Sequence, residues 1–485
     1  EGHNNADNNM DCHASLRSAR NDNISSSHCE GESTRLKSAV GEQSCNVYFH
    51  EIFGSQEFKR NYLIDKSIFS EKLIKLEDDE KYHWFTKVKS NEKYLNEFIG
   101  LTEIFDTVNS GISTDRDSLF IDKDKNELTK RMEILFSKNL NDDFINKYNV
   151  KNSSGYKLVE KIKNENFEEN NIIKIHYRPF DFQFIYYKVG ITSRPSYMIT
   201  KHFINRENIG LIFTRNVTDN DYRHAFITDK IIDQHVNSGR DYIAPLYLYE
   251  ENSAGEFKLE SSCKPNWTNS FNEFLKNYLS DNPREILNYI YAILYCPTYR
   301  ENYKEDLKYD YPRIPFTNDK NIFDRLQKLG GELIDLHLLK KVDCHATASA
   351  LCVPHGNDAD NNVALAHCMQ TAEERKGLKP LVVNNGNEIS KASYPISGDH
   401  KISYCKYNEE EKRIYINEKQ YFENVKKEVY HYSIGGYKPI EKYIKAREIL
   451  TLNDIKHLIK VIAVIERTIL TQAEIDEVWK KASFN

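Results

Sequence analysis

Residues 171–215 hold Lys174, Arg178, Lys188, Arg194, Lys201, Arg206 and Arg215 against only Asp181 and Glu207, in a chain whose formal net charge is −6. A local excess of cations suits phosphate, because lysine and arginine release condensed counterions and make the binding they support salt-dependent. An arginine that reaches a groove edge pairs bidentately with guanine, and asparagine or glutamine does so with adenine. Tyr186, Tyr187 and Tyr197 lie between these cations and offer rings to a sugar or an extruded base. The expected partner is duplex DNA. The candidate contacts are Arg178, Lys188, Arg194, Tyr197, Lys201, Arg215 and Asn216, with Arg300 and Arg313 at the ends of two later apolar segments.

Each candidate has a structural reading beside the functional one. The stretch Tyr177-Arg178-Pro179-Phe180-Asp181 also suits a corner closed by an Arg178–Asp181 pair. Tyr186 and Tyr187 face opposite sides of a strand, so at least one belongs to a core. Residues 289–300 suit a buried helix, and Arg300 and Arg313 serve equally as phosphate contacts or salt-bridge partners. Asp115 and Asp117 look like a carboxylate pair, but nothing near them completes a site, and no catalytic residue is assigned. Cys344, His345, Cys352, His355, His367 and Cys368 have the side chains of a tetrahedral zinc site. Their spacings give no two matched ligand pairs, so no metal is expected.

The elements that must position these residues read as α+β. Short β-rich runs are expected at 172–176, 183–187, 209–214 and 242–249. Helices are expected over 134–148, 153–165, 283–296 and 322–341. In the last of these Ile322, Leu326, Leu329, Leu333 and Leu336 share one stripe. A hairpin is expected from 402–407 and 413–417, and a final helix over 452–480 places Leu452, Ile455, Leu458, Ile459, Ile462 and Ile469 toward a core. Strands followed by helices, without regular alternation, favour α+β over a βαβ fold.

Residues 1–46 carry few large apolar side chains, and disorder is expected there. Within them Asp11-Cys12-His13-Ala14 recurs as Asp343-Cys344-His345-Ala346. Both copies read as one repetitive element, once at the start and once as an insert over 343–392. The repeat also accounts for Cys12, His13, His28 and Cys29 without a metal. Six of the nine cysteines lie in these two segments, and the rest read as reduced, mostly buried thiols. No apolar run approaches the roughly 18 residues that cross a bilayer. Without a signal pattern as well, the expected location is cytoplasmic. The chain begins at Glu1 rather than Met, and a fragment is expected.

An ordered series of motifs resembles the C-terminal specificity region of type ISP restriction–modification enzymes. It includes Tyr177-Arg178-Pro179-Phe180-Asp181, Asn208-Ile209-Gly210-Leu211 and Phe226-Ile227-Thr228-Asp229. It continues with Tyr289-Ile290-Tyr291-Ala292-Ile293-Leu294, Cys296-Pro297-Thr298-Tyr299-Arg300 and Leu329-Gly330-Gly331-Glu332-Leu333. It resumes after the insert at Ile414-Tyr415-Ile416-Asn417 and Ile434-Gly435-Gly436-Tyr437. Upstream, Asn109-Ser110-Gly111 and Thr114-Asp115-Arg116-Asp117 resemble the tail of the family's N6-adenine methyltransferase domain.

The resemblance implies a parent that joins nuclease, helicase-like ATPase, methyltransferase and target-recognition domains. It divides the chain into 1–46, a methyltransferase remnant over 47–150, a recognition domain over 151–342, the insert 343–392, and a second part of the recognition domain over 393–485. No Gly-x-x-x-x-Gly-Lys-Ser/Thr loop and no Asn/Asp-Pro-Pro-Tyr/Phe occurs. No cofactor is therefore expected on this chain; S-adenosylmethionine, ATP and Mg2+ belong to the complete family enzyme. Three readings stay open: a DNA-recognition module without chemistry, a subunit completing a methyltransferase with a separately encoded helicase or methyltransferase polypeptide, and a non-functional remnant.

Overall fold

A computed structural model describes residues 47–50, 56–66, 73–79, 84–86, 91–137, 139–217, 221–250, 262–340 and 400–482. The disorder expected over 1–46 and the insert over 343–392 lie outside the described residues. The chain divides into two compact units, Glu1–Asn91 and Glu92–Asn485. In the first, Ile74–Asp79 pairs antiparallel with both Val47–Phe49 and Trp84–Thr86. Helix Gln56–Asp65 there buries none of its residues.

Two four-stranded sheets organise the second unit. Their strands are β1 (Asn109–Ser110), β2 (Ile121–Asp122), β3 (Ile172–Arg178), β4 (Asp181–Tyr186), β5 (Gly210–Thr214), β6 (Ala225–Thr228), β7 (Ile231–Ile232) and β8 (Asp241–Pro245). The first sheet runs β6-β5-β8-β1 and is antiparallel throughout. The second runs β7-β3-β4-β2, with only the β7–β3 pair parallel. Every residue of β5 and β6 is buried. Strands so apolar are covered on both faces.

The β-rich readings at 172–176, 183–187 and 209–214 fall on β3, β4 and β5. The one at 242–249 is two strands, β8 and Tyr247–Tyr249. Leu246 continues the β8–β5 register through its N–H to the Ile209 carbonyl at 2.7 Å. One residue on, the Asn208 side chain replaces the strand partner, accepting from the Tyr247 N–H at 3.2 Å and donating to the Tyr247 carbonyl at 2.8 Å.

Tyr186 and Tyr187 are both core residues. Tyr186 packs with Leu128, Met132 and Phe136 in a smaller hydrophobic cluster, whereas Tyr187 joins the main one beside Ile199 and Phe203. Adjacent strand residues point to opposite faces, and here each face has its own core. The smaller core is closed by α1 (Lys125–Phe136), whose N-cap Asp124 accepts from the Asn126 and Glu127 amides. The helix expected over 134–148 is therefore the end of α1 plus a separate turn of helix, Asp142–Tyr148, started by an Asn141 cap. Of the helix expected over 153–165 only Leu158–Ile162 forms.

Three later helices form the main core. They are α2 (Pro283–Tyr295), α3 (Lys320–His337) and α4 (Leu452–Lys481). Pro283 stands in the first turn of α2, and Asn282 caps it by accepting from the Arg284 amide at 2.9 Å. Every residue from Ile286 to Tyr295 is buried. A large apolar side chain contributes about 1.5–3 kcal/mol when fully buried, and a buried tyrosine must also satisfy its hydroxyl. The Tyr289 hydroxyl donates to the Pro315 carbonyl at 2.7 Å, the Tyr295 hydroxyl to that of Ala225 at 3.0 Å, and the Tyr299 hydroxyl to that of Arg313 at 2.7 Å. Residues 289–296 and Tyr299 are packing residues.

Helices α2 and α3 cross at Gly330, where a Cβ would lie 1.8 Å from the Asn288 carbonyl oxygen. Any larger residue would push the helices apart. The buried face of α3 holds Phe323, Leu326, Leu333, Ile334 and Leu336, while Ile322 and Leu329 are only partly covered.

Helix α4 starts in a capping box between Thr451 and Asp454. Its long apolar face covers α3, although Leu452 at its first turn is exposed. The expected hairpin is present, with Lys406–Asn408 antiparallel to Arg413–Tyr415. Of the cysteines outside the two repeat segments, Cys296 is buried, Cys405 half-buried and Cys263 exposed.

Candidate nucleic-acid interface

The first sheet has one end at which loops accumulate. Asp241 stands opposite Thr214, Tyr242 opposite both Phe213 and Ser110, and Ala225 opposite Phe213. The chain therefore leaves β1 and β5, and enters β6 and β8, at the same edge. Segments 111–117, 215–224 and 233–240 all issue there.

The 193–198 turn joins them. Its Arg194 amide donates to the Ser113 carbonyl at 2.9 Å, and the Ser113 amide returns a bond at 3.1 Å. The Ser196 hydroxyl donates to the Gly111 carbonyl at 3.0 Å. Gly111 itself lies so close to 233–240 that a Cβ would come 2.6 Å from the Asp233 carbonyl oxygen.

This edge is held from beneath by buried carboxylates. The Asp241 carboxylate accepts from the Thr214 hydroxyl at 2.6 Å, the Asn237 amide N–H at 2.6 Å and the Asn237 side chain at 3.1 Å. Burial nevertheless pushes the Asp241 carboxyl up to about 7. Asp233 is also raised by burial, against the pull of Arg178.

The nine candidate residues separate under this geometry. Arg178 is not at the surface: its side chain is 12% exposed, pairs with Asp233 at 2.6 Å and lies 3.9 Å from the Tyr177 ring centroid. The corner at 177–181 exists, with Phe180 at φ +60°, but its predicted Arg178–Asp181 ion pair does not. Asp181 instead meets Arg447 at 3.0 Å. Lys188 is held by Glu165 at 2.7 Å and Glu168 at 2.6 Å, and these two hydrogen bonds raise its ammonium above the usual lysine range.

Arg313 donates to both Glu103 oxygens, at 2.8 and 3.3 Å, and to the Phe98 carbonyl at 2.9 Å. Arg300 donates to the Leu294 carbonyl near the end of α2 and lies 4.7 Å from the Tyr295 ring centroid. These four cations are engaged in holding the fold. An arginine committed to a bidentate carboxylate pair has little fork left for a base.

Arg194, Tyr197, Arg215 and Asn216 remain near the loop-rich edge, whereas Lys201 precedes His202, which bonds Asn208 and the Tyr249 N–H at the opposite end of the sheet. Arg194 is exposed and meets no carboxylate among the described residues. Tyr197 is 44% exposed, with the Lys201 ammonium 5.9 Å from its ring centroid. Arg215 pairs with Asp310 at 3.1 Å yet keeps 49% of its side chain exposed, and Asn216 beside it is exposed.

The edge also carries cations that the sequence reading passed over. Arg240 is exposed, has no carboxylate partner among the described residues, and lies 5.9 Å from the Tyr242 ring centroid. Arg223 pairs with the exposed Asp221 at 2.6 Å. Neither stands in a charged run, and only the register of β6 and β8 brings them here.

No group of His, Cys, Asp and Glu able to hold a metal ion occurs among the described residues. Cys344, His345, Cys352, His355, His367 and Cys368, like Cys12, His13, His28 and Cys29, lie outside them. Among the described residues no helix is long and apolar enough to cross a membrane.

The family model described as the Type ISP C-terminal specificity domain matches residues 103–468. The chain belongs to that family. The matched span includes β1 and β2, which pair with later strands in the two sheets, and α1, which closes the smaller core.

Solved structures share the fold of this Type ISP specificity chain. One is a nuclease-deletion mutant of the Type ISP restriction-modification enzyme LlaGI in complex with a DNA substrate mimic, at 19% identity and TM-score 0.60 over 90% of this chain and 33% of that one. Another is the ATP-dependent Type ISP enzyme LlaBIII bound to DNA, at 20% identity and TM-score 0.59 over 83% of this chain and 25% of that one. A DrdV–DNA complex matches at 17% identity and TM-score 0.59, over 91% of this chain and 43% of that one. The chain thus spans less than half the length of these relatives. A search of curated proteins finds no match.

Proposed function

We propose that this chain is a target-recognition module that binds duplex DNA through the loop-rich edge of its first sheet and performs no chemistry of its own. The observation that carries the reading is the convergence of Arg194, Arg215, Arg223 and Arg240 on one edge formed by β1, β5, β6 and β8. Cations gathered on loops at one end of a rigid sheet can follow a phosphate backbone and hold the module in register on it. Family membership and the DNA-bound state of the three related enzymes support the same partner.

Nuclease, motor and methyl-transfer activities, with S-adenosylmethionine, ATP and Mg2+, are assigned to polypeptide beyond these 485 residues, including any separately encoded helicase or methyltransferase partner. The chain holds neither a phosphate loop nor an Asn-Pro-Pro-Tyr stretch that would fit those groups. A cytoplasmic location suits a partner that is chromosomal or incoming DNA.

Selection from a random duplex library tests the reading. The full chain is expected to enrich a defined short sequence. Recovery of an unenriched pool, together with no binding of random duplex at low salt, would overturn it.

A further inference from the structure

The 193–198 turn is anchored more firmly than its exposure requires. Besides the Ser113–Arg194 bridge and the Ser196–Gly111 bond, the Ser193 hydroxyl donates to an Asp115 oxygen at 2.5 Å. The Ser113 hydroxyl donates to the other Asp115 oxygen at 3.0 Å. From below, the buried Tyr187 hydroxyl donates to the Pro195 carbonyl at 3.0 Å, and the Tyr156 hydroxyl to the Ile191 carbonyl at 2.7 Å. Ser196 is left-handed, at φ +48° and ψ +42°, and Asp115 has φ +55°. Non-glycine residues held in that region cost energy and persist only where the surroundings dictate them.

This scaffold presents Arg194, Tyr197 and Met198 to solvent. Met198 is 56% exposed and Tyr197 44%. Neither exposed ring nor thioether serves the core, and Arg194 serves no ion pair among the described residues. Asp115, bonded to the Ser193 that precedes Arg194, is turned toward two serine hydroxyls. A rigid projection that combines a guanidinium fork with apolar side chains matches a DNA groove: the fork suits guanine O6 and N7, and the apolar pair suits a thymine methyl or a base step.

We propose, resting on the DNA-binding reading above, that the 193–198 turn is the groove-entering, sequence-reading element. Arg194 supplies hydrogen bonds to a base edge, and Tyr197 and Met198 contact the adjoining step. Arg215, Arg223 and Arg240 hold the backbone on either side.

The test repeats the library selection with Arg194→Gln, Met198→Ser and the control Lys130→Ala on the exposed side of α1, each first shown to melt like the parent chain. Arg194→Gln is expected to lose discrimination at one position of the selected site, by roughly 5- to 150-fold. Met198→Ser is expected to relax an adjacent position, and Lys130→Ala to leave the site unchanged. If the parent chain enriches a site and both turn variants select it equally well, the turn has no reading role while DNA recognition stands. If the turn variants lose only a contact to another polypeptide, the proposal is likewise overturned. If the parent chain enriches nothing, the underlying reading falls first and this one with it.

Discussion

The Arg447 guanidinium meets the Asp181 carboxylate at 3.0 Å across 266 positions of sequence, with 5% and 4% of the two side chains exposed. A second nitrogen of the same fork reaches Asp454 at 2.9 Å, a third donates to the Tyr443 carbonyl at 2.9 Å, and the plane lies 3.3 Å from the Tyr443 ring centroid. The His457 ring bonds the Phe180 carbonyl at 2.7 Å. The β3–β4 corner is thereby tied to the segment that leads into α4, so the part of the chain after the undescribed 341–399 docks on the two-sheet body.

Removing one partner of such a pair leaves a buried charge uncompensated, which typically costs 3–5 kcal/mol, or about that. Asp181→Ala should therefore lower stability by about that amount. Arg447→Met combined with it should recover part of the loss. Urea unfolding of the single and double variants checks this; equal stability of Asp181→Ala and the parent would show that the tie carries no weight.

Gly330→Ala is expected to be costly although alanine is the better helix former. The added methyl meets the Asn288 backbone rather than a yielding side chain. Overpacking of this kind costs about 1–3 kcal/mol. A lowered thermal midpoint with unchanged helix content is the expected signature.

His337 bridges three helices: its Nδ1 meets the Tyr291 hydroxyl at 2.6 Å, and its Nε2 the Thr468 hydroxyl at 2.9 Å. Burial holds its pKa down to about 3, below the ordinary 6.5. A histidine kept neutral in the fold protonates first in the unfolded chain. Its stabilising contribution is thus fully present above pH 6.5 and is lost as the pH falls toward 3, at up to about 1.4 kcal/mol per unit. His337→Gln should flatten the loss between pH 7 and 5, measured as the shift in urea midpoint. His176, equally buried and held down to about 3, contributes in the same direction.

Asp241 acts with the opposite sign. Its carboxyl titrates near 7 in the fold and near 3.8 when ordinary. The folded chain therefore holds the proton over this window, and stability falls as the pH rises from about 4 to 7. Asp241→Asn should gain stability relative to the parent as the pH rises from about 5 to 8. A stability difference that does not change with pH would contradict the assignment.

The sequence made the helical core legible because apolar residues at helical spacing run through each of its long helices. Asn282, Pro283 and Thr451 mark their helix starts directly. The long helix expected over 134–148 failed for a local reason, since Asn141 caps a new helix instead of continuing the old one. The interface was only partly legible. Counting charge along 171–215 placed Arg178 and Lys188 beside Arg194, but strand pairing sends Arg178 inward to Asp233 and delivers Lys188 to Glu165 and Glu168. Arg223 and Arg240 reach the edge through the register of β6 and β8, a long-range relation with no signature in composition.

The most direct measurement is the salt dependence of duplex binding by the parent chain, an Arg194→Ala/Arg240→Ala variant and a Lys130→Ala control, followed by fluorescence anisotropy. The double variant is expected to bind more weakly at low salt and to lower the slope of log Kd against log salt by about 1, for the backbone cation Arg240, while the loss of Arg194 removes a base-edge contact. The control should match the parent. An unchanged slope and affinity in the double variant, while the parent binds, would contradict the placement of DNA on this edge.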